Sequence, residues 1–264
     1  MSGATAAGPA VRTEDVGAVR VVTMDRPARR NALDLDDRRE LLAALAAVES
    51  DESVRALVLT GAGPVFSAGG DIASMSPDRE VANVRLGLVN DLARRLVRGR
   101  VPVVAAVEGG AHGLGLALAC ACDVVVSGAG ARYAASFVKI GLTADTGLLH
   151  TLPRRVGPGR ARALLLTART LDAAEALGAG LVDEVVTDGE ALQRSVEVAT
   201  GLAAYSRDAL AATRAVLDAG HRDLDDVLEA EKQAQVRLLA GSAFAEGQAA
   251  FLERRRPDFP THGG

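Results

Sequence analysis

Short apolar runs alternate with longer amphipathic segments along the chain. Runs rich in β-branched residues predict strands, and apolar positions spaced three or four apart predict helices. Strands are predicted at 18–24, 54–61, 101–110, 123–128 and 181–186. Helices are predicted at 36–50 and 81–97, and the pattern is helical throughout from about residue 190. The first half of the chain therefore alternates strand-like and helix-like segments.

Two glycine-rich turns each follow a predicted strand and precede a predicted helix. They lie in the stretches ALVLTGAGPVFSAGGDI (56–72) and PVVAAVEGGAHGLGLALA (102–119). The bare N–H groups of such a turn, together with the partial positive charge of a helix start, favour an oxygen that carries negative charge. Two such turns can direct two N–H groups at one spot, which is the geometry of an oxyanion hole.

Phosphate binding by these turns is the alternative, and the residues argue against it. A P-loop places Lys after its glycines, and neither turn has one. GLGLAL (113–118) begins like a dinucleotide-binding fingerprint, but it lacks the third Gly and no suitably placed acidic residue follows. Taken alone, either stretch is also compatible with a plain tight turn.

The composition is that of an ordinary soluble enzyme. Of the 264 residues, 48% are apolar and 24% are charged. The net charge of −4 gives no reason to expect nucleic acid as a partner, and no apolar run approaches the length of a membrane span. Residues 1–11 lack the basic and apolar regions of a signal peptide and are predicted to be a disordered tail.

The chain has two cysteines, Cys120 and Cys122. A redox or metal pair is one interpretation, but a metal needs four clustered ligands and the four His are scattered. We expect two small buried apolar groups instead, with no metal site. Cysteine usage of this kind favours a cytoplasmic protein.

Five stretches, in this order, resemble the crotonase family of enoyl-CoA hydratases and isomerases. They are MDRPARRNAL (24–33), LTGAGPVFSAGGDI (59–72), VEGGAHGLGLALACACD (107–123), GLVDEVV (180–186) and FLERRRPDF (251–259). The resemblance implies an α/β fold in which repeated ββα units wind into a spiral over residues 12–200. It also implies a helical C-terminal segment, 201–264, that assembles a homotrimer or a dimer of trimers.

The resemblance implies an acyl-CoA thioester as ligand, with coenzyme A as part of the substrate and no separate cofactor. The two oxyanion donors are then the backbone N–H groups of Ala68 and Leu114, although the family usually has a small residue where Leu114 stands. The other positions implied to contact substrate or coenzyme A are Ala28, Arg30, Ala32, Ser67, Gly69, Asp71, Ile72, Gly113, Tyr133, Phe137, Leu142, Phe251 and Arg254.

Hydratases of this family hold a water between two Glu side chains, and this chain has neither. The resemblance places Ala117 at one of these positions and Phe137 at the other. Ala cannot activate water and Phe cannot donate a proton, so the usual hydratase mechanism has no acid–base group here. Phe137, Ala117 and Tyr133 are expected to line a dry pocket.

One carboxylate, Asp145, remains in the glycine-flanked loop of IGLTADTGLLHTLPRRVG (140–157). The loop resembles the enoyl-CoA isomerase branch, and especially the epoxyphenylacetyl-CoA isomerases, in which an Asp at this position acts as a single base. Ala144 and Leu148 depart from that branch, which usually has Pro and Gly there. The structural alternative is that Asp145 caps the following helix in an Asx-type turn.

Two histidines and two groups of arginines are further candidates. His112 is an alternative acid or base, or a hydrogen-bonding loop residue, and His150 is interpreted as structural. Arg30 and the run 254–256 could bind the coenzyme A phosphates, because a guanidinium suits phosphate, or they could be solvated charge.

The sequence therefore favours an enoyl-CoA isomerase in which Asp145 is the catalytic residue. A hydratase of weak activity, with water oriented by Asp145 or His112, is one alternative. A catalytically silent acyl-CoA-binding trimer is the other.

Overall fold

The computed structural model describes residues 8–220 and 223–259. Its strands are β1 (Val11–Val16), β2 (Val19–Met24), β3 (Ala56–Gly61), β4 (Val103–Val107), β5 (Gly110–His112), β6 (Val124–Gly128), β7 (Arg132–Ala134), β8 (Leu171–Asp172) and β9 (Glu184–Val186). Its helices are α1 (Leu35–Ser50), α2 (Arg79–Arg98), α3 (Leu114–Cys120), α4 (Leu148–Val156), α5 (Pro158–Thr167), α6 (Ala173–Ala179), α7 (Ala191–Ala203), α8 (Arg207–Asp218), α9 (Leu224–Leu239) and α10 (Ser242–Glu253). Short 3-10 turns lie at Pro27–Arg29, Ile72–Ser74 and Ser136–Ile140.

The strands form two sheets. Six of them pair in the order β1-β2-β3-β4-β6-β9, and β5, β7 and β8 form a smaller sheet. Neighbours are parallel except β1 with β2 and β7 with β8. Parallel neighbours need crossover connections, which helices supply. The unit β4-β5-α3 shows the repeat, with one strand in each sheet and then a helix, so the predicted spiral α/β fold is confirmed.

The large sheet is buried on both faces. In β4, Val103 and Ala105 face the main core, whereas Val104 and Ala106 face a second core that α7 covers. In a parallel sheet that is covered on both faces, each strand is apolar at nearly every position. This explains why the sequence VVAAV predicts a strand although it shows no alternation.

The helix α1 carries a charged residue on its buried face. Asp34 caps the helix by accepting the N–H groups of Asp36 and Asp37, and Asp37 returns the bond, which forms a capping box. The face that enters the core begins one turn later with Arg38 and continues with Leu41, among other apolar residues. Arg38 is therefore a cation at a position that the helical period assigns to the core.

The N-terminal prediction is wrong at its last positions. Residues 1–7 of the predicted tail lie outside the described residues, but Ala10 is fully buried and Val11 begins β1. The sequence did not predict β1, because VRTEDV is mostly polar. The strand is exposed along most of its length and lies at the sheet edge, where apolar patterning is not required.

Two further boundaries differ from the sequence prediction. The first glycine-rich turn leads into the 3-10 turn Ile72–Ser74, and α2 begins only at Arg79 after the capping residue Asp78. The predicted end of the spiral at residue 200 falls inside α7, which packs on β3 and β4. The helical C-terminal segment therefore begins after α7.

Candidate active site

The two glycine-rich turns lie side by side. Ser67 pairs with Ala111 in a parallel bridge, and the His112 N–H donates to the Ser67 carbonyl at 3.0 Å. On the opposite side, the Leu33 N–H donates to the Gly69 carbonyl at 2.9 Å. The first turn is thus held between the segment that leads into α1 and the second turn. The prediction that the two turns adjoin agrees with this geometry.

The second turn ends in an N–H group with no protein acceptor. Gly113 is the N-cap of α3, with φ 52° and ψ −117°, and its own N–H donates to the Ala134 carbonyl at 3.0 Å. The Leu114 N–H, by contrast, has no acceptor in the described part of the chain. Leu114 is buried, so this donor lies in a largely water-free environment, where a hydrogen bond to an anionic oxygen is strong.

The other predicted donor is already engaged. The Ala68 N–H donates to the Arg30 carbonyl at 2.8 Å. Arg30 and Asn31 have φ values of 50° and 54°, a conformation that residues other than glycine rarely adopt. The role predicted for Ala68 therefore requires the Arg30 carbonyl to share this proton or to move away.

The hydroxyl of Ser67 is used inside the first turn. It donates to the Asn31 carbonyl at 2.8 Å and accepts the Gly69 N–H at 3.1 Å. The Asn31 side chain is buried and donates to the Ala62 and Val65 carbonyls. These hydrogen bonds hold the first turn in place. They occupy the Ser67 hydroxyl, so the structure gives no sign that this hydroxyl binds a ligand.

The two positions that hold glutamates in hydratases of the family are apolar and buried here. Ala117 lies one turn after Leu114 on α3 and is fully buried, and Phe137 is buried in the 3-10 turn Ser136–Ile140. Tyr133 lies in the same core cluster, but its hydroxyl donates to Ser127 Oγ at 2.6 Å, and burial raises its pKa. Its hydroxyl is thus committed to the core.

Asp145 is half-buried, and its carboxylate caps no helix. The Oδ1 atom accepts the Thr146 hydroxyl at 2.8 Å, and no backbone N–H of the described residues donates to this side chain. It is the backbone carbonyl of Asp145 that accepts the Leu148 N–H, while Gly147 is the N-cap of α4. The structural alternative, a side chain that caps this helix, is therefore not what the structure contains.

The residue that follows Asp145 is strained. Thr146 is fully buried and has φ 55°. A β-branched residue at positive φ is a clear outlier, and such strain costs about 1–3 kcal/mol and gathers at functional sites. The core therefore holds Thr146 in place, and its hydroxyl fixes the carboxylate of Asp145.

Two arginines that the sequence pattern did not mark as functional lie beside these turns. A Cβ on Gly70 would be 2.8 Å from Arg38 Nη2 and 3.4 Å from Arg85 Nη2. Burial and the charge of Arg85 lower the pKa of Arg38 to about 10, and the charge of Asp145 opposes this shift. The sequence does contain one indication that Arg38 is a functional residue. It lies on the apolar face of α1, where a buried charge needs a partner.

His112 is half-buried at the end of β5, in the second turn. Burial lowers its pKa, and the charges of Arg30 and Lys139 lower it further. The side chain is therefore neutral at pH 7. His150 lies on α4, where its ring contacts Asp218 at 3.3 Å and Arg154 at 2.8 Å, in agreement with a structural role.

Several of the predicted contact residues lie at the surface around the turns. Ala28 and Arg30 are exposed, Ala32 is partly buried, and Ile72 and Leu142 are exposed apolar side chains. Asp71 instead caps the 3-10 turn that follows it, by accepting the Ala73 N–H, and forms an ion pair with Arg29 at 3.2 Å. Its role in the structure is to hold the end of the first turn.

The two C-terminal candidates lie at the end of α10, which packs against α9. Phe251 is 84% exposed, and Arg254 ends α10 in the left-handed conformation. The coenzyme A contacts for Phe251 and Arg254 stay a prediction.

Both cysteines are buried and neither forms a disulfide. Burial raises the pKa of Cys120 to about 12 and also raises that of Cys122, so they behave as the predicted apolar groups. Within the described ranges no three metal-ligating side chains are clustered. Over the same residues, no helix combines the length and the apolar character that crossing a membrane requires.

The two-sheet spiral with paired glycine turns at its centre is the architecture of crotonase-fold proteins. The family profile for enoyl-CoA hydratase/isomerase matches residues 14–262. A relative named "probable enoyl-CoA hydratase echA12" from Mycobacterium bovis is 39% identical, over 90% of this chain and 88% of the relative. The crotonyl-CoA hydratase of Syntrophomonas wolfei is 35% identical, with 90% and 93% covered.

A solved structure agrees with these relatives. The crystal structure of an enoyl-CoA hydratase from Polaromonas sp. JS666 superposes with a TM-score of 0.88 at 32% identity, covering 94% of this chain and 98% of that one. The chain belongs to the enoyl-CoA hydratase/isomerase family, whose members act on acyl-CoA thioesters.

Proposed function

We propose that this protein is an enoyl-CoA isomerase that moves the double bond of a 3-enoyl-CoA to the 2-position, with Asp145 as its single base. The observation that carries the proposal is the contrast between three positions. Ala117 and Phe137 are buried and have no ionisable group, whereas the half-buried Asp145 has a carboxylate whose one hydrogen-bond partner among the described residues is the Thr146 hydroxyl.

The proposed reaction is a proton transfer between two carbons of the acyl chain. The Asp145 carboxylate removes a proton from C2, and the electron pair delocalises over the thioester oxygen and C4. The protonated Asp145 then returns the proton to C4, which leaves a double bond between C2 and C3. Base and proton are both regenerated and no water is added, so one carboxylate suffices and no cofactor is needed.

The backbone stabilises the negative charge of this dienolate. The Leu114 N–H is the first donor, because it has no acceptor in the described part of the chain. The Ala68 N–H is the second, once the thioester oxygen replaces the Arg30 carbonyl. One such donor is typically worth about 2.7–4 kcal/mol of barrier.

Hydration is the second candidate, because relatives are named enoyl-CoA hydratases. Water would then have to be oriented by Asp145 or His112, without the two glutamates. A single assay separates the candidates. The purified protein is given 3-hexenoyl-CoA and crotonyl-CoA in parallel, and isomerised and hydrated products are quantified.

We expect isomerisation to exceed hydration by at least about 100-fold in kcat/KM, because a missing general acid or base typically costs this much. Faster hydration than isomerisation would replace the proposal by the second candidate. If neither product forms, exchange of the C2 protons of bound acyl-CoA with deuterium oxide is measured. The absence of exchange would support a silent acyl-CoA-binding protein.

The assembly as a homotrimer or dimer of trimers remains a proposal. Within a single chain no residue of α9 is buried, and the helix exposes Leu224, Leu228 and Val236. An apolar face of this kind is typical of an interface between subunits. Sedimentation velocity of the purified protein tests it, as a monomer would contradict the proposal. The cytoplasmic location also remains a prediction.

A further inference from the structure

We propose that the acyl group bound at this site ends in a carboxylate, which Arg38 and Arg85 bind. The substrate class is then a CoA thioester of a dicarboxylic acid. This inference deepens the proposed function and rests on it for the position of the acyl chain. It is carried by two guanidinium groups beside the paired turns for which the described residues supply no hydrogen-bond or ion-pair partner.

Arg38 is a buried cation whose side chain forms no hydrogen bond with the described residues. Only 2% of its surface is exposed, and its Nε has no hydrogen-bond partner. No side-chain hydrogen bond or ion pair of Arg38 or Arg85 occurs in the described part of the chain. A buried charge in a stable protein is normally paired, so the site is complete only when an anion is supplied.

The carboxylates of α1 do not fill this role, although they lie on the same helix. Asp37 is bound by Arg26 at 3.1 Å and by Arg29 at 2.9 Å. Asp34 is bound by Arg29 at 3.0 Å and also caps the helix. Both thus form their ion pairs with cations other than Arg38, although their charges still act on Arg38 from a longer distance.

The carboxylates around Arg38 act on it only from a distance. The charges of Asp145, Asp34 and Asp37 oppose the fall in its pKa, but no carboxylate oxygen of the described residues lies within 4.0 Å of the Arg38 or Arg85 guanidinium nitrogens. Neither guanidinium therefore has a direct anionic partner in the part of the chain that the structure describes. A carboxylate on the ligand supplies such a partner, because a guanidinium binds this group through two parallel hydrogen bonds.

The two arginines lie close to the predicted oxyanion donor. A Cβ on Gly69 would be 3.4 Å from the Leu114 nitrogen, whereas a Cβ on Gly70 would be 2.8 Å from Arg38 Nη2. Neighbouring Cα atoms are about 3.8 Å apart. The predicted oxyanion donor and the Arg38 guanidinium thus lie beside consecutive residues of the first turn, and this proximity is why we propose a short acyl chain.

The test measures binding, so that it does not depend on catalysis. Adipoyl-CoA and hexanoyl-CoA have acyl chains of the same length, and only adipoyl-CoA carries a terminal carboxylate. Their dissociation constants are measured by titration calorimetry on the full chain, on Arg38→Met and on Arg39→Met. Arg39 is the matched control, since it is exposed on α1 and pairs with Asp36.

We expect the wild-type protein and Arg39→Met to bind adipoyl-CoA at least about tenfold more tightly than hexanoyl-CoA. Arg38→Met should remove this preference and leave hexanoyl-CoA binding unchanged or tighter. Equal binding of the two thioesters by the wild type overturns the proposal, and so does an equal loss of both in Arg38→Met. Should Arg38→Met not fold, Arg85→Gln is judged by the same criteria.

A second measurement distinguishes this inference from the proposed function. The wild type is assayed for isomerisation of 3-hexenedioyl-CoA and of 3-hexenoyl-CoA. If adipoyl-CoA is preferred in binding but neither thioester is isomerised, the carboxylate site stands and the isomerase proposal fails. If both are isomerised with equal kcat/KM and bound equally, the isomerase stands and the carboxylate site fails.

Discussion

Gly69 lies so close to the start of α3 that a Cβ at this position would be 3.4 Å from the backbone nitrogen of Leu114. The same Cβ would be 2.7 Å from the His112 carbonyl oxygen, and Gly69 has φ 110°. Only glycine combines this backbone conformation with this approach. Because Gly69 has no Cβ, the first turn can lie directly against the Leu114 N–H group, which we assign to the oxyanion.

Gly69→Ala should destabilise the protein and abolish its activity. A side chain at this φ and a Cβ in contact with backbone together cost about 2–4 kcal/mol in the free energy of unfolding. Urea denaturation measures the change. Gly201→Ala on α7 is the matched control, because its Cβ would meet nothing within 4 Å, and it should stabilise the helix by about 0.5–1 kcal/mol. Equal stability of the two variants would disprove the close contact.

Thr146→Val should lower kcat by about tenfold with little change in KM. The variant keeps the shape of Thr146 but removes the hydroxyl that donates to Asp145 at 2.8 Å, a charge-assisted bond worth roughly 1.5–3 kcal/mol. Thr146→Ser keeps the donor and should retain most of the activity. Steady-state kinetics with 3-hexenoyl-CoA provide both constants. If the Ser and Val variants lose the same activity, the hydroxyl does not position Asp145.

His112 should make the protein less stable in mild acid. Its pKa in the folded state lies below the ordinary value of 6.5, so the unfolded chain binds the proton more tightly. Stability from this group is therefore complete above about pH 6.5 and is lost as the pH falls through the folded-state pKa.

Urea denaturation at about pH 7.5 and pH 5.5 measures this loss. Between these two pH values the free energy of unfolding should decrease less for His112→Gln than for the wild type. If the free energy of unfolding decreases equally in the wild type and in His112→Gln when the pH is lowered, protonation of His112 does not limit stability.

Arg214 should be essential for the attachment of α8 to the spiral. Its guanidinium donates to the carbonyls of Leu96 at 2.6 Å and Val101 at 2.5 Å and pairs with Asp123 at 2.9 Å. Arg214→Met leaves these groups without their donor and should cost about 3–5 kcal/mol in the free energy of unfolding. Arg162→Met, at an exposed position of α5, should change stability by less than about 0.5 kcal/mol. Similar values for both variants would contradict this role.

The sequence predicts the fold well where burial is uniform. The strand at β4 is apolar at every position, and a parallel sheet covered on both faces requires this. The edge strand β1 escaped prediction because its residues face water. The glycine pattern of the sequence predicted the two turns directly, whereas the roles of Ala68, Leu114 and Asp145 came from the family resemblance.

Other parts of the site depend on packing that no local pattern encodes. The engagement of the Ala68 N–H by the Arg30 carbonyl joins segments far apart in sequence. Arg38 and Arg85 meet only because α1 and α2 pack together beside Gly70. The charge at a core position of α1 was visible in the sequence, but its lack of a partner was not.

The most direct measurement compares the wild type with Asp145→Asn in the isomerisation of 3-hexenoyl-CoA. The amide cannot accept the C2 proton, so kcat should fall by about 10²–10⁴-fold, while calorimetry shows unchanged binding of hexanoyl-CoA. Asp91→Asn, at a partly exposed position of α2 where the carboxylate pairs with Arg94, should retain wild-type kcat. An Asp145→Asn variant that isomerises the substrate at the wild-type rate would contradict the assignment of Asp145 as the base.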